Sequence, residues 1–395
     1  MTSSTKRSIT CTLLIVVAAW GCADRPTEVS RVPAVQFSAV KFWEVNASTR
    51  WNERATVLLT QRPPANGQAA ASRILTYLSI AQYRAVLAAE AGKSGSTHPS
   101  VSAAVGGASA AVLNAFFPLD VQTNEGQLDN DLAAPGWPGA KNQDPASGEA
   151  IGRAVGAAVL AEAATDNYLV TSPGTPPVGA GKWIPAPAPA TIVRSLHGVR
   201  SFFLTSASQL RPPPPPAFGS PAFLTALAEI RTISDTRTAE QLSIAQSFAW
   251  ATGPFTTGNL NLIADQLIVD HRRTEREAAR ILAYANAAAF DAQIACFDAK
   301  FEYWFIRPPQ ADPAITLAVA LPNHPSYPSA HSCITTALMT VLIDAFPSER
   351  PHLEEIITTA GLSRMYAGIH YRFDIEAGQA IGRGAAALAL AGSLK

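Results

Sequence analysis

The sequence predicts an all-α protein built from one or more helical bundles. Apolar residues recur at helical spacing in long segments rich in Ala and Leu, and almost no segment alternates apolar and polar residues as a half-buried strand does. The chain has 395 residues, of which 48% are hydrophobic and 15% charged. This length and composition indicate a folded protein with a large core and argue against a disordered one.

The predicted helices are separated by connections rich in Gly and Pro. Thr238 and Gln241 provide a capping box, in which both side chains satisfy free N–H groups at a helix start. The stretches 171–190 and 212–216 are predicted to be extended surface loops. No internal repeat is evident, so the sequence predicts one helical domain over 35–395. Its helices are predicted near 38–61, 68–91, 100–117, 146–165, 221–232, 238–251, 259–300, 331–346, 351–367 and 373–391.

The charge balance excludes a class of partners. Lys and Arg together number 30, as do Asp and Glu, so the formal charge is zero. A nucleic-acid-binding protein needs a basic surface, and nothing in this composition provides one. We therefore expect no nucleic-acid partner.

The N-terminal residues have the pattern of an export signal. Lys6 and Arg7 precede an apolar stretch from Ile9 to Trp20, which is short for a membrane span, and small residues then lead to Cys22. We predict a signal peptide at 1–22 with a lipobox-like end and a linker at 23–34. The mature protein is expected in the periplasm or on the surface of a bacterial cell, attached to the membrane only through a lipid on Cys22. Plain secretion without lipid remains the alternative.

Export also affects how the cysteines are interpreted. Cys11 lies within the predicted signal and Cys22 carries the predicted lipid, which leaves Cys296 and Cys333. In an oxidising compartment two remaining cysteines can form a disulfide, but two buried free thiols fit the sequence equally well.

The last hundred residues contain three fragments suited to holding an oxyanion. They are Lys300-x6-Arg307-Pro308, Pro328-Ser329-Ala330-His331 and Ser363-Arg364-x5-His370-x3-Asp374. One Lys and two Arg can neutralise an oxyanion, and the guanidinium groups can donate paired hydrogen bonds. We expect the site in the half of the domain at 255–395.

The spacing within the fragments gives further expectations. Lys300 and Arg307 are seven residues apart, so they are predicted to project from one face of the same helix. The Ser329 hydroxyl and the N–H groups near Ala330 add donors at a helix start. A helical segment would place Asp374 beside His370, fixing the tautomer and leaving the other nitrogen to attack phosphorus or bind a metal.

The three fragments resemble the signature K-x6-RP, PSGH and SR-x5-H-x3-D. This is the signature of the type 2 phosphatidic acid phosphatase and vanadium-dependent haloperoxidase superfamily. The longer stretches HPSYPSAH (324–331) and SRMYAGIHYRFD (363–374) are similar to its soluble haloperoxidase branch. The resemblance implies the all-α fold of these enzymes.

The resemblance also implies a role for each matching residue. His331 would be the acid–base group, and Asp374 would hold His370. His370 would be the metal ligand, bound to vanadium in a haloperoxidase, or the phosphorylated nucleophile in a phosphatase. The residues implied to bind the vanadate cofactor or a phosphate are Lys300, Arg307, Ser329, Ala330 and Arg364.

Several positions depart from or refine this pattern. Ala330 replaces the family Gly, and its Cβ is strained if the position requires a positive φ. His324 stands where bromide-oxidising members carry a second His, whereas Phe297 replaces a Trp usual in haloperoxidases. An Asp usual near Thr252, where it holds one site Arg, is missing, and Glu240 is a possible substitute.

Three functions follow as hypotheses. The first is a vanadium-dependent haloperoxidase that oxidises halide, with bromide or iodide favoured, using hydrogen peroxide. The second is an exported acid phosphatase that cleaves small phosphate esters through a phosphohistidine, without a metal cofactor. The third is a lipoprotein that binds oxyanions without catalysis. The replacement of the family Gly by Ala330 is the observation that favours it. The oligomeric state does not follow from the sequence.

Overall fold

The computed structural model describes residues 46–92, 98–133, 143–186, 192–250 and 253–394. The predicted signal peptide at 1–22, Cys22, the linker at 23–34 and Thr252 lie outside these residues. The domain boundary predicted at residue 35 also lies outside them and stays a prediction.

Helices account for nearly all regular structure of the described residues, so the predicted all-α class is confirmed. The exceptions are pairs of two-residue strands. β1 (His98–Pro99) pairs in parallel with β2 (Gln143–Asp144), and β3 (Pro173–Gly174) pairs antiparallel with β4 (Ile192–Val193). The helices are α1 (Ala47–Gln61), α2 (Gly67–Ala91), α3 (Val101–Phe116), α4 (Val121–Ala133), α5 (Pro145–Ala164), α6 (Pro221–Thr236), α7 (Ala239–Ser247), α8 (Phe255–Asp270), α9 (Glu275–Tyr303), α10 (Pro308–Ala311), α11 (Ala330–Ala345), α12 (Arg350–Tyr366) and α13 (Arg372–Ala391).

Two helix predictions need correction. The single helix predicted at 259–300 is wrong, because α8 ends at Asp270 and Thr274 begins α9 in a capping box with Glu277. Helix α4 was not predicted, and Leu128 is the one apolar residue among its buried positions, so its apolar periodicity is weak. The capping box predicted at Thr238 is present, with Gln241 as its partner.

Helix α9 forms the centre of the core. It is buried along most of its length and packs against α2, α11 and α13. Its alanines allow these neighbours to approach closely, and its last turn carries Lys300 to the site. Among the described helices, none is both long and apolar enough to cross a bilayer.

Helices α11 and α13 pack at close range and set the distance between two of the motif fragments. A Cβ on Gly378 would lie 2.6 Å from the Ser329 carbonyl oxygen, and one on Gly382 would lie 2.7 Å from that of Cys333. The Ser329 N–H donates to the Asp374 carbonyl at 2.9 Å. Glycine at position 378 therefore brings the start of α11 against the start of α13.

We predict that Gly378→Ala destabilises the protein by about 1–3 kcal/mol, because the added methyl meets backbone atoms that cannot move independently. Urea unfolding measures this change. Gly126→Ala in α4 is the control: its Cβ would meet no atom within 4 Å, and it should be neutral or stabilising. Equal stability of the two variants would contradict the close packing of α11 and α13.

Candidate active site

The predicted helical pairing of Lys300 and Arg307 is wrong. Helix α9 ends at Tyr303, and Trp304 takes the left-handed conformation, with its N–H bonded to the Lys300 carbonyl. Arg307 is extended and precedes Pro308, which starts the short helix α10. Extended geometry is the preferred one before proline. The chain thus turns between the two cations, and both side chains still reach the segment 324–328.

Lys300 is fully buried and contacts the segment 324–328, which we call the loop. Its ammonium donates three hydrogen bonds of 2.5 to 2.8 Å to the carbonyl oxygens of Pro325, Ser326 and Pro328. An ammonium has three N–H bonds, so all are used. Lys300 therefore holds the loop and adds positive charge to the site, but it has no N–H left for an oxyanion in this arrangement.

Arg307 is also fully buried and also binds the loop. Its Nε donates to the His324 carbonyl at 2.8 Å, Nη1 to the Ile369 carbonyl at 2.8 Å, and Nη2 to the His324 Nδ1 at 3.2 Å and the Pro325 carbonyl at 3.5 Å. A guanidinium has five N–H bonds, so one on Nη1 has no acceptor among the described residues.

Arg364, in the last turn of α12, makes the fewest hydrogen bonds of the three cations. Its Nε donates to the Ser363 Oγ at 2.9 Å and its Nη2 to the Ala245 carbonyl at 2.8 Å. Three N–H bonds have no acceptor within the described ranges. The carboxylate partner suggested at Glu240 is wrong, since Glu240 is exposed and α7 offers the Ala245 carbonyl instead.

The start of α11 provides further donors. Ser329 caps this helix, and its Oγ accepts hydrogen bonds from the Ser332 N–H at 3.4 Å and the Ser332 hydroxyl at 3.2 Å. Its own hydroxyl hydrogen remains for another acceptor. Ala330 is the first helical residue and has no positive φ. The strain considered for Ala330 therefore does not arise, and its N–H lies at the positive end of the helix.

His370 and Asp374 form a buried pair. His370 Nδ1 lies 2.8 Å from Asp374 Oδ2. The contact does not come from a shared helix as predicted, because His370 precedes α13 and Asp374 lies in its first turn. Burial and the charges of Arg307 and Lys300 hold the pKa of His370 well below its usual value, so the ring is neutral. With Nδ1–H donated to the carboxylate, Nε2 carries the lone pair and has no described partner.

His331 is half-buried in the first turn of α11. Its Nε2 lies 3.3 Å from the Thr256 hydroxyl, and its ring stacks on Trp250 at a centroid distance of 6.4 Å. Burial, and then the charge of Arg364, lower the pKa of His331 well below its usual value. Hydrogen bonds join the three fragments, because Lys300 binds the Pro328 carbonyl and the Ser329 N–H binds the Asp374 carbonyl.

His324 contacts both Arg307 and Phe297. His324 Nδ1 lies 3.2 Å from Arg307 Nη2 and 3.2 Å from the Pro325 carbonyl oxygen. Its ring contacts the buried Phe297 ring at a centroid distance of 5.2 Å. His324 is thus attached to a site cation and is not a freely solvated loop histidine.

The buried charges of the site do not balance. Asp374 is the one carboxylate among the described residues whose charge acts on Lys300 and Arg307, and none acts on Arg364. With Asp374 ionised, the histidines neutral and Cys296 a thiol, two positive charges are left uncompensated. Burial lowers the pKa of Lys300 to about 8 and the pKa values of both arginines to about 10. An anion bound here would stabilise all three cations.

The two cysteines are free thiols in the structure, so the disulfide alternative is wrong. Both are fully buried, in α9 and α11. The Cys296 thiol donates to the Pro328 carbonyl at 3.7 Å, the same carbonyl that Lys300 binds.

Sequence reasoning missed Ser326, Thr256 and Trp250. Ser326 donates to Asp374, while Thr256 and Trp250 contact His331. Ser326 lies within the motif stretch HPSYPSAH, so the sequence offered a reason to expect it near the other motif residues. The other two lie 75 and 81 positions from His331, a separation that no local pattern reveals.

The chain is similar to known proteins in sequence and in fold. Residues 279–394, which contain all three fragments, match the model of the PAP2 superfamily. The superfamily resemblance is confirmed. A bacterial vanadium-dependent iodoperoxidase structure aligns with a TM-score of 0.74 at 22% identity, covering 88% of this chain and 96% of that one. Apo and holo bacterial vanadium-dependent chloroperoxidases align with TM-scores of 0.62 and 0.61 at 14% and 15% identity. They cover 84% and 82% of this chain, and 96% and 92% of theirs.

The structural similarities establish the fold at these identities. No curated protein sequence matches the chain. The PAP2-superfamily segment begins in α9 and ends three residues after α13, so it carries the three cations and both motif histidines.

We predict that Arg364→Met leaves the free energy of unfolding unchanged or raises it, since the substitution removes a buried charge that has no carboxylate partner, while oxyanion affinity falls strongly. Arg73→Met is the matched control. Arg73 is also buried but binds Asp166 at 2.7 Å, and breaking that pair should cost about 3–5 kcal/mol without changing oxyanion affinity.

Urea unfolding in oxyanion-free buffer and vanadate titration measure these two effects. If Arg364→Met destabilised the protein as much as Arg73→Met does, the charge of Arg364 would be compensated. The surplus at the site would then be smaller than two positive charges.

Proposed function

We propose that the protein is a vanadium-dependent haloperoxidase that oxidises bromide or iodide with hydrogen peroxide. The observation that carries the proposal is the buried surplus of two positive charges beside the unpartnered Nε2 of His370. A small oxyanion such as vanadate, bound as its dianion, neutralises this surplus. The similarity to the iodoperoxidase and chloroperoxidase structures supports this choice.

The residues present fit vanadate by the chemistry of their donors. Three N–H bonds of Arg364, one of Arg307, the Ser329 hydroxyl and the Ala330 N–H can hold its oxygens, and His370 Nε2 can bind the metal. Lys300 would stabilise the bound anion by its charge, from behind the carbonyls it binds. When bound, vanadate supplies a Lewis acid that polarises peroxide toward attack by halide.

The protein's own groups would control proton movement. Burial and the charge of Arg364 disfavour the charged form of His331, so its ring is neutral. A neutral ring can accept a proton at Nε2 and later return it. Asp374 keeps the hydrogen of His370 on Nδ1, so Nε2 stays available as a ligand. The contact of His324 with Arg307 puts a second histidine at the site, which supports bromide or iodide as the halide.

A phosphatase is the second candidate, and the PAP2-superfamily match favours it. The same donors suit phosphate, because vanadate resembles the transition state of phosphoryl transfer. His370 Nε2 would attack phosphorus, and His331, protonated once the phosphate anion is bound, would give that proton to the leaving alkoxide. Water would then hydrolyse the phosphohistidine. No metal cofactor takes part in this reaction.

We also propose that the enzyme is exported and anchored through a lipid on Cys22. This part of the proposal rests on the signal-like residues 1–22 alone. It places halide oxidation outside the cytoplasm.

The test compares two activities on one preparation. The vanadate-loaded protein should brominate a phenol-red-type acceptor with peroxide. His331→Ala should lower that turnover about a hundredfold or more while vanadate still binds. His352→Ala, at an exposed histidine of α12, should leave turnover unchanged.

Each other outcome identifies a competing function. Hydrolysis of nitrophenyl phosphate without vanadium, inhibited by vanadate and accompanied by phosphohistidine after acid quench, would establish the phosphatase. Vanadate binding with neither activity would establish the oxyanion-binding lipoprotein. The strain at Ala330 that favoured that third hypothesis is absent from the structure.

A further inference from the structure

Ser326 is a buried serine that the oxyanion chemistry described so far does not use. Its main chain is fixed on both sides, because its N–H donates to the Phe305 carbonyl at 2.9 Å and its carbonyl accepts from Lys300 at 2.8 Å. The side chain is fully buried. With its backbone held, the hydroxyl can reach only a small region, and the His370–Asp374 pair lies there.

The Ser326 hydroxyl donates to Asp374 Oδ2 at 2.5 Å. The same oxygen accepts from His370 Nδ1 at 2.8 Å and from the Tyr371 N–H at 3.2 Å. The other oxygen, Oδ1, is buried and has no partner among the described residues. Three donors thus converge on one carboxylate oxygen and none on the other.

This asymmetry gives the hydroxyl a specific effect. A carboxylate can rotate about its last bond and present either oxygen to a neighbour. The Ser326 and Tyr371 donors approach from different elements, so together they fix the plane of the carboxylate with Oδ2 toward the imidazole. His370 alone, joined by one hydrogen bond, would leave that plane free.

We infer that Ser326 is a positioning residue for His370. By fixing the Asp374 carboxylate, its hydroxyl holds the imidazole in the Nδ1–H tautomer, with Nε2 directed at the oxyanion. The first serine of HPSYPSAH thus orients the reactive histidine, while the second, Ser329, caps α11. The inference rests on the proposed function only in taking His370 as the group that meets the oxyanion.

The test is ¹⁵N NMR of the histidine side chains in the oxyanion-free protein, with vanadate affinity measured beside it. The wild type should show one His370 tautomer with hydrogen on Nδ1. Ser326→Ala should show a mixture of tautomers and bind vanadate about tenfold more weakly or worse. Ser326→Thr keeps the hydroxyl and should restore both properties.

Ser109→Ala is the matched control. Ser109 is as buried as Ser326, but its hydroxyl donates to the Val105 carbonyl in α3, and the tautomer of His370 should not change. Ser326→Cys, similar in size but a weaker donor, gives the same test if the alanine variant does not fold, and should show the same losses.

Unchanged tautomer and unchanged vanadate affinity in Ser326→Ala, or in Ser326→Cys where that variant is used, would overturn the inference. Equal impairment in Ser326→Thr would overturn it too, because a lost hydroxyl would not then be the cause. A mixed tautomer in a protein that neither oxidises halide nor cleaves phosphate esters would support the role of Ser326 and contradict the proposed function alone.

Discussion

The burial of three cations against a single carboxylate is the constraint on which the site depends. An uncompensated charge inside a protein costs several kcal/mol, and the usual solution is a paired residue of opposite sign. Arg73 follows that rule by binding Asp166 in the interior. Lys300, Arg307 and Arg364 do not, so the fold places charge where only an added anion can balance it.

Backbone carbonyls make this arrangement possible without carboxylates. Lys300 and Arg307 bind the carbonyl oxygens of the loop at 324–328, and Arg364 binds one from α7. Carbonyl oxygens satisfy the N–H groups but carry no net charge, so the positive field of the site is kept. Close packing of α11 on α13 then brings the helix start and the His370–Asp374 pair to the same place.

The sequence predicted the helical class and the residues implied to bind the oxyanion, because helical periodicity and motif spacing are local patterns. The predicted geometry between those residues was less accurate. Trp304 turns the chain in a left-handed conformation that the spacing of Lys300 and Arg307 does not reveal. His370 lies before α13 and contacts Asp374 in the first turn of that helix. The predicted contact is therefore present, but the shared helix that was expected to produce it is not.

Long-range contacts account for most of what was missed. Thr256 and Trp250 reach His331 through the packing of distant segments, and the Ala245 carbonyl replaces the carboxylate suggested for Arg364. Ala330 is accommodated because its position is helical and needs no positive φ. The replacement of Gly by Ala in the motif does not by itself reveal this conformation.

The most direct measurement of the charge surplus is proton uptake when tungstate, a doubly charged oxyanion, binds. The pKa of Lys300 is lowered to about 8, so at pH 9 this group is mostly neutral, and a bound anion should raise its pKa and draw a proton in. Calorimetric titration in buffers of different ionisation enthalpy should show proton uptake at pH 9 and almost none at pH 7. Binding without uptake at pH 9, or no binding at either pH, would contradict a site made of uncompensated cations.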